Sequence, residues 1–237
     1  MESSEDFEKI REQLHRQMLS AVSHDLKTPL ATIIGSLEIY VRMASQLSKE
    51  KSEILINSAL GEAYRLDNFI TNILDMAKLE SSMINVRFEL IDIAYLIKDC
   101  ITRMGPKGIE SDITLQFEDG EQIVADPMLL SRAIGMILDN AIKHGGKNKP
   151  IHVYYNTTDD GFCIRVRDHG PGLPSGKEQD IFSKYTRFSK MDQQNAGTGL
   201  GLAICRRLVE LQGGKVEGCN DPEGGALFSI MLPRRAA

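Results

Sequence analysis

The sequence predicts an α+β chain: an N-terminal antiparallel helical hairpin that pairs with a second copy as a dimeric four-helix bundle, followed by an α/β sandwich. Three observations carry this expectation. Apolar residues recur every three or four positions from Phe7 to Ala77. Beyond Leu79-Glu80-Ser81-Ser82 the pattern changes to short β-branched and aromatic runs alternating with helical ones. Two glycine clusters, "DHGPG" (168–172) and "GTGLGL" (197–202), then flank the longest stretch without clear structure, Leu173 to Gly197.

The first helix follows from Phe7, Ile10, Leu14, Met18 and Ala21, a stripe continued by Leu26, Leu30, Ile33, Leu37 and Tyr40. A polar break at 45–51 separates it from a second stripe through Ile56, Leu60, Ala63, Leu66, Ile70, Ile73 and Ala77. Two helices joined by so short a loop fold back on each other. A lone hairpin cannot cover both stripes, so burial alone calls for a homodimer. The first domain is accordingly expected at 1–81 and the second at 82–237. Within the second, strands are expected at 85–90, 113–117, 151–155, 162–166 and 226–232, and helices at 91–104, 127–143 and 200–212. There is no internal repeat.

Composition narrows the classes of function. The 237 residues are 42% hydrophobic, ordinary for a globular protein, and the net charge of -5 comes without any Lys/Arg block. That argues against nucleic acid or an anionic membrane surface as the main partner. No stretch approaches the roughly 20 apolar residues that span a bilayer, and the charged N-terminus is no signal peptide. The chain is therefore expected to be soluble and cytoplasmic, and the half-started helix behind Met1 suggests a fragment of a longer, membrane-anchored protein. Cys100, Cys163, Cys205 and Cys219 have no metal or disulfide spacing and are expected to be reduced and mostly buried.

The glycine clusters point to a ligand. Asp168 follows an expected strand and precedes Gly170 and Gly172; an ionised carboxylate accepts a hydrogen bond from an exocyclic amino group, and glycine lets backbone approach a ligand. Gly197, Thr198, Gly199, Leu200 and Gly201 open a helix, where free backbone N–H groups favour phosphate. The spacing is not that of a dinucleotide-binding fingerprint, and the P-loop ending is absent. A third element, "LDNAIKHG" (138–145), ends a helix with Asn140 and Lys143 on neighbouring positions. The amide oxygen of Asn140 suits Mg²⁺ among phosphates and waters, and the Lys143 ammonium suits phosphate. Taken singly, each cluster also reads as an ordinary turn or polar helix end.

Taken in order, Asn140, Asp168 and Gly197 resemble the N, G1 and G2 boxes of the GHKL (Bergerat) ATP-binding fold. "IFSKYTRF" (181–188) lies between them and resembles the F box of its lid, which adds Lys184, Tyr185 and Arg187 to the candidate nucleotide contacts. "SHDLKTPL" (23–30) resembles the H box of a sensor histidine kinase. The resemblance covers the chain from about Met18 to Pro233, and the wording of its C-terminal third is most similar to the KdpD-type kinases of potassium uptake. It implies ATP and Mg²⁺ as cofactors, with Asn140 as the metal contact, and a response regulator receiver domain as partner. His24 would be the phosphoacceptor, Asp25 its general base, and Thr28, one turn on, the residue that orients water for dephosphorylating the regulator. Pro29 removes one helical hydrogen bond and is expected to bend the helix there.

His144 stands where relatives often carry Tyr, so it is both a candidate nucleotide contact and an ordinary helix cap. His15, His152 and His169 read as structural. Met136 occupies a position, one turn before Asn140, where relatives commonly have another Asn. The resemblance implies an ATP-dependent protein-histidine kinase that passes the phosphoryl group from His24 to a regulator aspartate. The alternatives are a nucleotide-binding pseudokinase acting as a dimeric regulator or phosphatase, for which Met136 leaves room, and an ATPase of the gyrase or chaperone kind, against which the H box argues.

Overall fold

The three-four spacing at the N-terminus becomes two long helices, α1 (Glu2–Met43) and α2 (Lys49–Glu80). The structure is a computed structural model that describes residues 2–81, 84–105, 108, 110–117, 120–146, 149–158, 161–184 and 199–235; the side chains of 2–21, 24, 80 and 158 lie outside the description. Between the helices the amides of Gln46 and Leu47 close a turn on the Met43 carbonyl, and the Ser48 hydroxyl caps α2 by accepting from the Lys51 amide. α1 continues through Pro29 without a break.

Burial separates two faces of the hairpin. Leu26, Pro29, Ile33, Ser36 and Tyr40 on α1, and Ser52, Leu55, Ala59, Glu62, Leu66, Phe69 and Ile73 on α2, are shielded at three-four spacing. They form the inner seam. A second stripe stays open: Leu30, Ile34, Leu37 and Val41 on α1, with Val41 73% exposed, and Ile56, Leu60, Ile70 and Leu74 on α2. Both open stripes keep the a/d spacing of a helix that has a further partner.

The chain forms two units, Met1–Leu74 and Asp75–Ala237, so the last turns of α2 go with the second. There Met76 and Leu79 are buried and Asp75 pairs with Arg132. The second unit continues with β1 (Glu89–Asp92), α3 (Ile93–Arg103), β2 (Ile113–Gln116), β3 (Gln122–Ala125), α4 (Pro127–His144), β4 (Ile151–Thr158), β5 (Gly161–Arg167), α5 (Gly201–Glu210), β6 (Lys215–Asn220) and β7 (Ala226–Pro233). A short 3-10 helix, Asp180–Phe182, follows the loop after β5. The main sheet has the order β2-β4-β5-β7-β6, with β2 and β4 parallel and the rest antiparallel, while β1 and β3 form a separate ribbon.

Every second residue of β7, from Ala226 to Leu232, is buried, and Leu130, Ile134, Ile137 and Leu138 of α4 and Ile204 and Leu208 of α5 complete the core. The expected helices fall within a few positions of α3, α4 and α5. The strand expected at 85–90 is displaced to Glu89–Asp92, and β3 and β6 were not expected from the sequence. β6 carries Gly218 in its middle, which masks its alternation. The glycine is there for room: a Cβ would stand 2.8 Å from Ile181 Cδ1 and 3.2 Å from Leu173 Cδ1.

The start of α4 is fixed by a buried polar cluster. Asp126 caps the helix by accepting from the amides of Met128 and Leu129, and its other oxygen accepts from the Arg87 amide at 2.8 Å. Gln212, 1% exposed, accepts from the Asp126 amide and donates to the Leu208 carbonyl. One end of α4 is thereby tied to the end of α5, which sets where the opposite end of α4 emerges.

Candidate active site

The C-terminal end of α4 meets the loop after β5. The apolar face of α4 ends at Ala141, so Asn140 is half-buried at its edge, while Lys143 and His144 are exposed. Backbone contact here requires glycine: a Cβ on Gly170 would strike the His144 carbonyl and stand 3.1 Å from Gly145 Cα, and one on Gly145 would stand 3.0 Å from Asp168 Cβ.

Asp168 is 2% exposed and held from three sides. Its Oδ1 accepts from the amides of Gly170 at 2.8 Å and Ala226 at 3.0 Å, and its own amide donates to the Ala226 carbonyl at 2.9 Å. The hydrogen bonds that hold Asp168 go to Oδ1, which leaves Oδ2 as an oriented carboxylate oxygen for a donor on a ligand. Two hydrogen bonds between Asn220 and Leu173, at 2.6 and 2.9 Å, fix the chain just after Gly172, whose φ is +81°. His169 is engaged elsewhere: its Nδ1–H donates to the Pro150 carbonyl at 2.8 Å, and its ring meets that of His152 edge-on at 5.2 Å.

The Lys143 ammonium pairs with Asp139 one turn earlier. Both side chains are 40% exposed, and such pairs are worth about 0.3–0.5 kcal/mol, so a polyphosphate would readily draw Lys143 away. Asn140 offers one amide oxygen to a divalent cation. Mg²⁺ is ordinarily held by one or two protein oxygens together with substrate phosphates and water, and this donor set fits that pattern. Among the described residues there is no group of three acidic, His or Cys side chains that would hold a metal without such a ligand.

At the start of α5 no side chain caps the helix, and its first intrahelical bond is from the Ile204 amide to the Leu200 carbonyl at 2.9 Å. The amides of Gly201, Leu202 and Ala203 thus point out of the first turn, a favourable environment for anions. Leu200 is fully buried, Gly199 has a φ of +63°, and a Cβ on Gly201 would meet no atom within 4 Å. Phe182, 2% exposed, anchors the preceding segment, with its ring edge-on to Phe228 and the Arg206 guanidinium 4.6 Å above it. Lys184 lines a cavity with Phe182, Ala203 and Arg206. Tyr185, Arg187, Gly197 and Thr198 lie outside the described residues.

In the hairpin, His24, Asp25 and Thr28 all lie on α1, His24 and Thr28 one turn apart. Asp25 is half-buried and Thr28 exposed, and the Thr32 hydroxyl donates to the Thr28 carbonyl at 3.2 Å. Of His24 only the helical backbone is described.

Sequence reasoning passed over Gly145, Asn220, Gly225 and Ala226, all of which shape the surroundings of Asp168. The Gly224-Gly225 pair just ahead of the last strand was the available signal. A Cβ on Gly225, at φ +91°, would collide with the Asp168 carbonyl.

Residues 14–82 match the His Kinase A (phospho-acceptor) domain, and residues 125–236 match the family of histidine kinase-, DNA gyrase B-, and HSP90-like ATPases. The sensor protein KdpD of Escherichia coli is 34% identical over 235 residues, 96% of this chain and 25% of that protein. The KdpD of Clostridium acetobutylicum is 28% identical, again over 25% of its length. The chain thus spans about a quarter of these relatives. Among solved structures, the histidine kinase AdeS of Acinetobacter baumannii superposes with a TM-score of 0.70 at 17% identity, covering 90% of this chain and 98% of that one. The histidine kinase ThkA, solved in complex with the response regulator protein TrrA, gives 0.68 at 25% identity, covering 98% of this chain and 66% of that one.

Proposed function

The chain belongs to the sensor histidine kinases, and we propose that it is their catalytic core, transferring the γ-phosphoryl group of ATP to His24 and from there to an aspartate of a response regulator. The observation that carries the nucleotide half of this reading is Asp168, buried with Oδ1 saturated by two amides and Oδ2 left to receive the adenine amino group. Residues 1–81 then act as the dimerisation and phosphoacceptor hairpin and 82–237 as the ATP-binding domain.

Asn140 and Lys143 sit at the end of α4 and the uncapped amides at the start of α5, and between them they offer an amide oxygen, an ammonium and N–H donors to a metal-bound triphosphate. His144, Lys184, Tyr185, Arg187 and the 197–201 cluster complete the contacts in this reading. Mg²⁺, when bound, supplies charge neutralisation on the phosphates. One imidazole nitrogen of His24 attacks the γ-phosphorus while Asp25 accepts the proton from the other. The bond to the β,γ-bridging oxygen breaks, and ADP leaves.

The open stripes of α1 and α2 support a homodimer, since Leu30, Ile34, Leu37 and Val41 would otherwise face water. Thr28, exposed one turn from His24, supports a second activity in which a held water hydrolyses the regulator's phosphoaspartate. No described helix is long and apolar enough to cross a membrane. In this reading the chain is the cytoplasmic portion of a longer, membrane-anchored sensor, as it spans a quarter of its KdpD relatives.

Incubating the protein with γ-labelled ATP and Mg²⁺ tests the reading. Acid-labile, base-stable label that moves to a receiver domain is the expected result. Phosphate release without protein label would indicate a simple ATPase, and nucleotide binding with neither would indicate a pseudokinase.

A further inference from the structure

We infer that Arg167, which cannot itself touch the nucleotide, is a positioning residue that sets the selectivity for adenine by bracing the turn that orients Asp168. The inference rests on the reading of Asp168 as the adenine acceptor.

Arg167 and Asp168 are consecutive at the end of β5, so the two side chains leave opposite faces of the sheet. Asp168 continues the buried row of Ile164 and Val166 toward the helices, and Arg167 continues the row of Arg165 on the other face. Its guanidinium reaches the β6–β7 turn, 3.0 Å from Asp221 Oδ1 and 2.9 Å from Glu223 Oε2. The Arg167 and Asp221 side chains are only 15% and 13% exposed, whereas Glu223 is 79% exposed. The pair to Asp221 is therefore the shielded, stronger one. The Nε of Arg167 is buried with no hydrogen-bond partner among the described residues, a cost that a merely solvated arginine would not carry.

The turn passes this constraint on. The Asp221 amide donates to the Gly225 carbonyl at 3.0 Å, the Gly224 amide to the Asp221 carbonyl at 2.9 Å, and the Glu223 amide to Asp221 Oδ1 at 2.9 Å. Gly225 lies against the backbone of Asp168 and His169, and the next residue, Ala226, donates the amide that fixes Asp168 Oδ1. The connection runs from Arg167 through Asp221 and the turn to Ala226 and so back to the carboxylate beside it. Loosening the turn lets that carboxylate rotate. Oδ2 then ceases to favour an amino group over a keto oxygen at position 6 of the purine.

The test compares ATP with ITP, which carries the keto group, by equilibrium binding to wild type, Arg167→Gln, Arg167→Lys and Asp221→Asn. Arg167→Gln should lower the preference for ATP over ITP by about tenfold, an effect in the range carried by supporting residues that touch no ligand. Arg167→Lys, which retains one ion pair, should recover much of it, and the label rate at saturating ATP should stay within about twofold. Asp221→Asn keeps the turn's acceptor oxygen but not its charge, so it gives the same readout should Arg167→Gln fail to fold. An unchanged ATP/ITP ratio in folded Arg167→Gln or Asp221→Asn, with only thermal stability reduced, would overturn the inference while leaving the adenine site intact. An Asp168→Asn control with wild-type ATP affinity would overturn the adenine reading and the inference together.

Discussion

Replacing Asp168 by Asn removes one charge and converts one oxygen to an NH₂, and the structure dictates which one. The Oδ1 position receives two backbone N–H groups, from Gly170 and Ala226. An NH₂ placed there would set three donors against one another inside the core, so the amide oxygen of the variant must stay at that position. The NH₂ is then forced into the Oδ2 position, facing the ligand. A donor now meets the adenine amino group in place of a charged acceptor. The lost charge-assisted hydrogen bond is worth about 1.5–3 kcal/mol, or about one to two decades in affinity. The same geometry makes the variant a better partner for ITP, whose keto oxygen accepts from the new NH₂, so the ATP/ITP preference should fall further than ATP affinity alone. Titration calorimetry of both nucleotides measures this. An Asp168→Asn protein that keeps wild-type ATP affinity, or loses ATP and ITP binding equally, would refute the reasoning.

Thr28→Ala should keep autophosphorylation within a few-fold while slowing regulator dephosphorylation about tenfold or more, the range for losing a group that orients water; both rates on one preparation decide it, and parallel loss would point to a damaged helix. Leu37→Glu should dissociate the proposed homodimer, because each copy would lose about 1.5–3 kcal/mol of apolar burial and a two-fold interface counts it twice, shifting the dissociation constant by about two to four decades; sedimentation velocity reads the outcome, and a monomer in both wild type and variant would refute the dimer. Cys219 is exposed and should react with iodoacetamide in the native protein, whereas burial pushes the Cys205 thiol up to about 12 and should keep it unreacted until unfolding. Because the folded thiol holds its proton between the ordinary value of 9.0 and about 12, Cys205 contributes stability below that window and loses it as pH rises through it. Chemical denaturation of Cys205→Ala should accordingly show a shallower alkaline decline than wild type.

The helices were legible because each has one apolar face: α4 and α5 bury Ile134, Leu138, Ile204 and Leu208 at helical spacing, and both hairpin stripes were countable. The strands with clean alternation, such as β7, were equally plain. β6 was hidden because Gly218 serves a tertiary need, making space for Ile181 and Leu173, and contributes nothing to local strand propensity. The displaced β1 pairs with β3 over only four residues and runs directly into α3, as β3 runs through Asp126 into α4, so neither strand is long enough to carry a local pattern of its own. Within the site, Asp168, Asn140 and Lys143 could be singled out as candidate nucleotide contacts. Gly225, Ala226 and Arg167 could not, because their roles exist only once the β6–β7 turn lies against the end of β5. Lys143 also holds an ion pair with Asp139, one helical turn away, that the spacing permits but does not require.

The account turns on His24 receiving the phosphoryl group, and peptide mapping after incubation with ATP and Mg²⁺ tests this most directly. Cleavage after Arg16 and Lys27 releases the peptide "QMLSAVSHDLK" (17–27), in which His24 is accompanied by the hydroxyls of Ser20 and Ser23. The account predicts phosphate on this peptide that survives alkali and is lost in acid, and none in His24→Gln protein that still binds ATP. Phosphate that survives acid, or label that persists in His24→Gln, would contradict it.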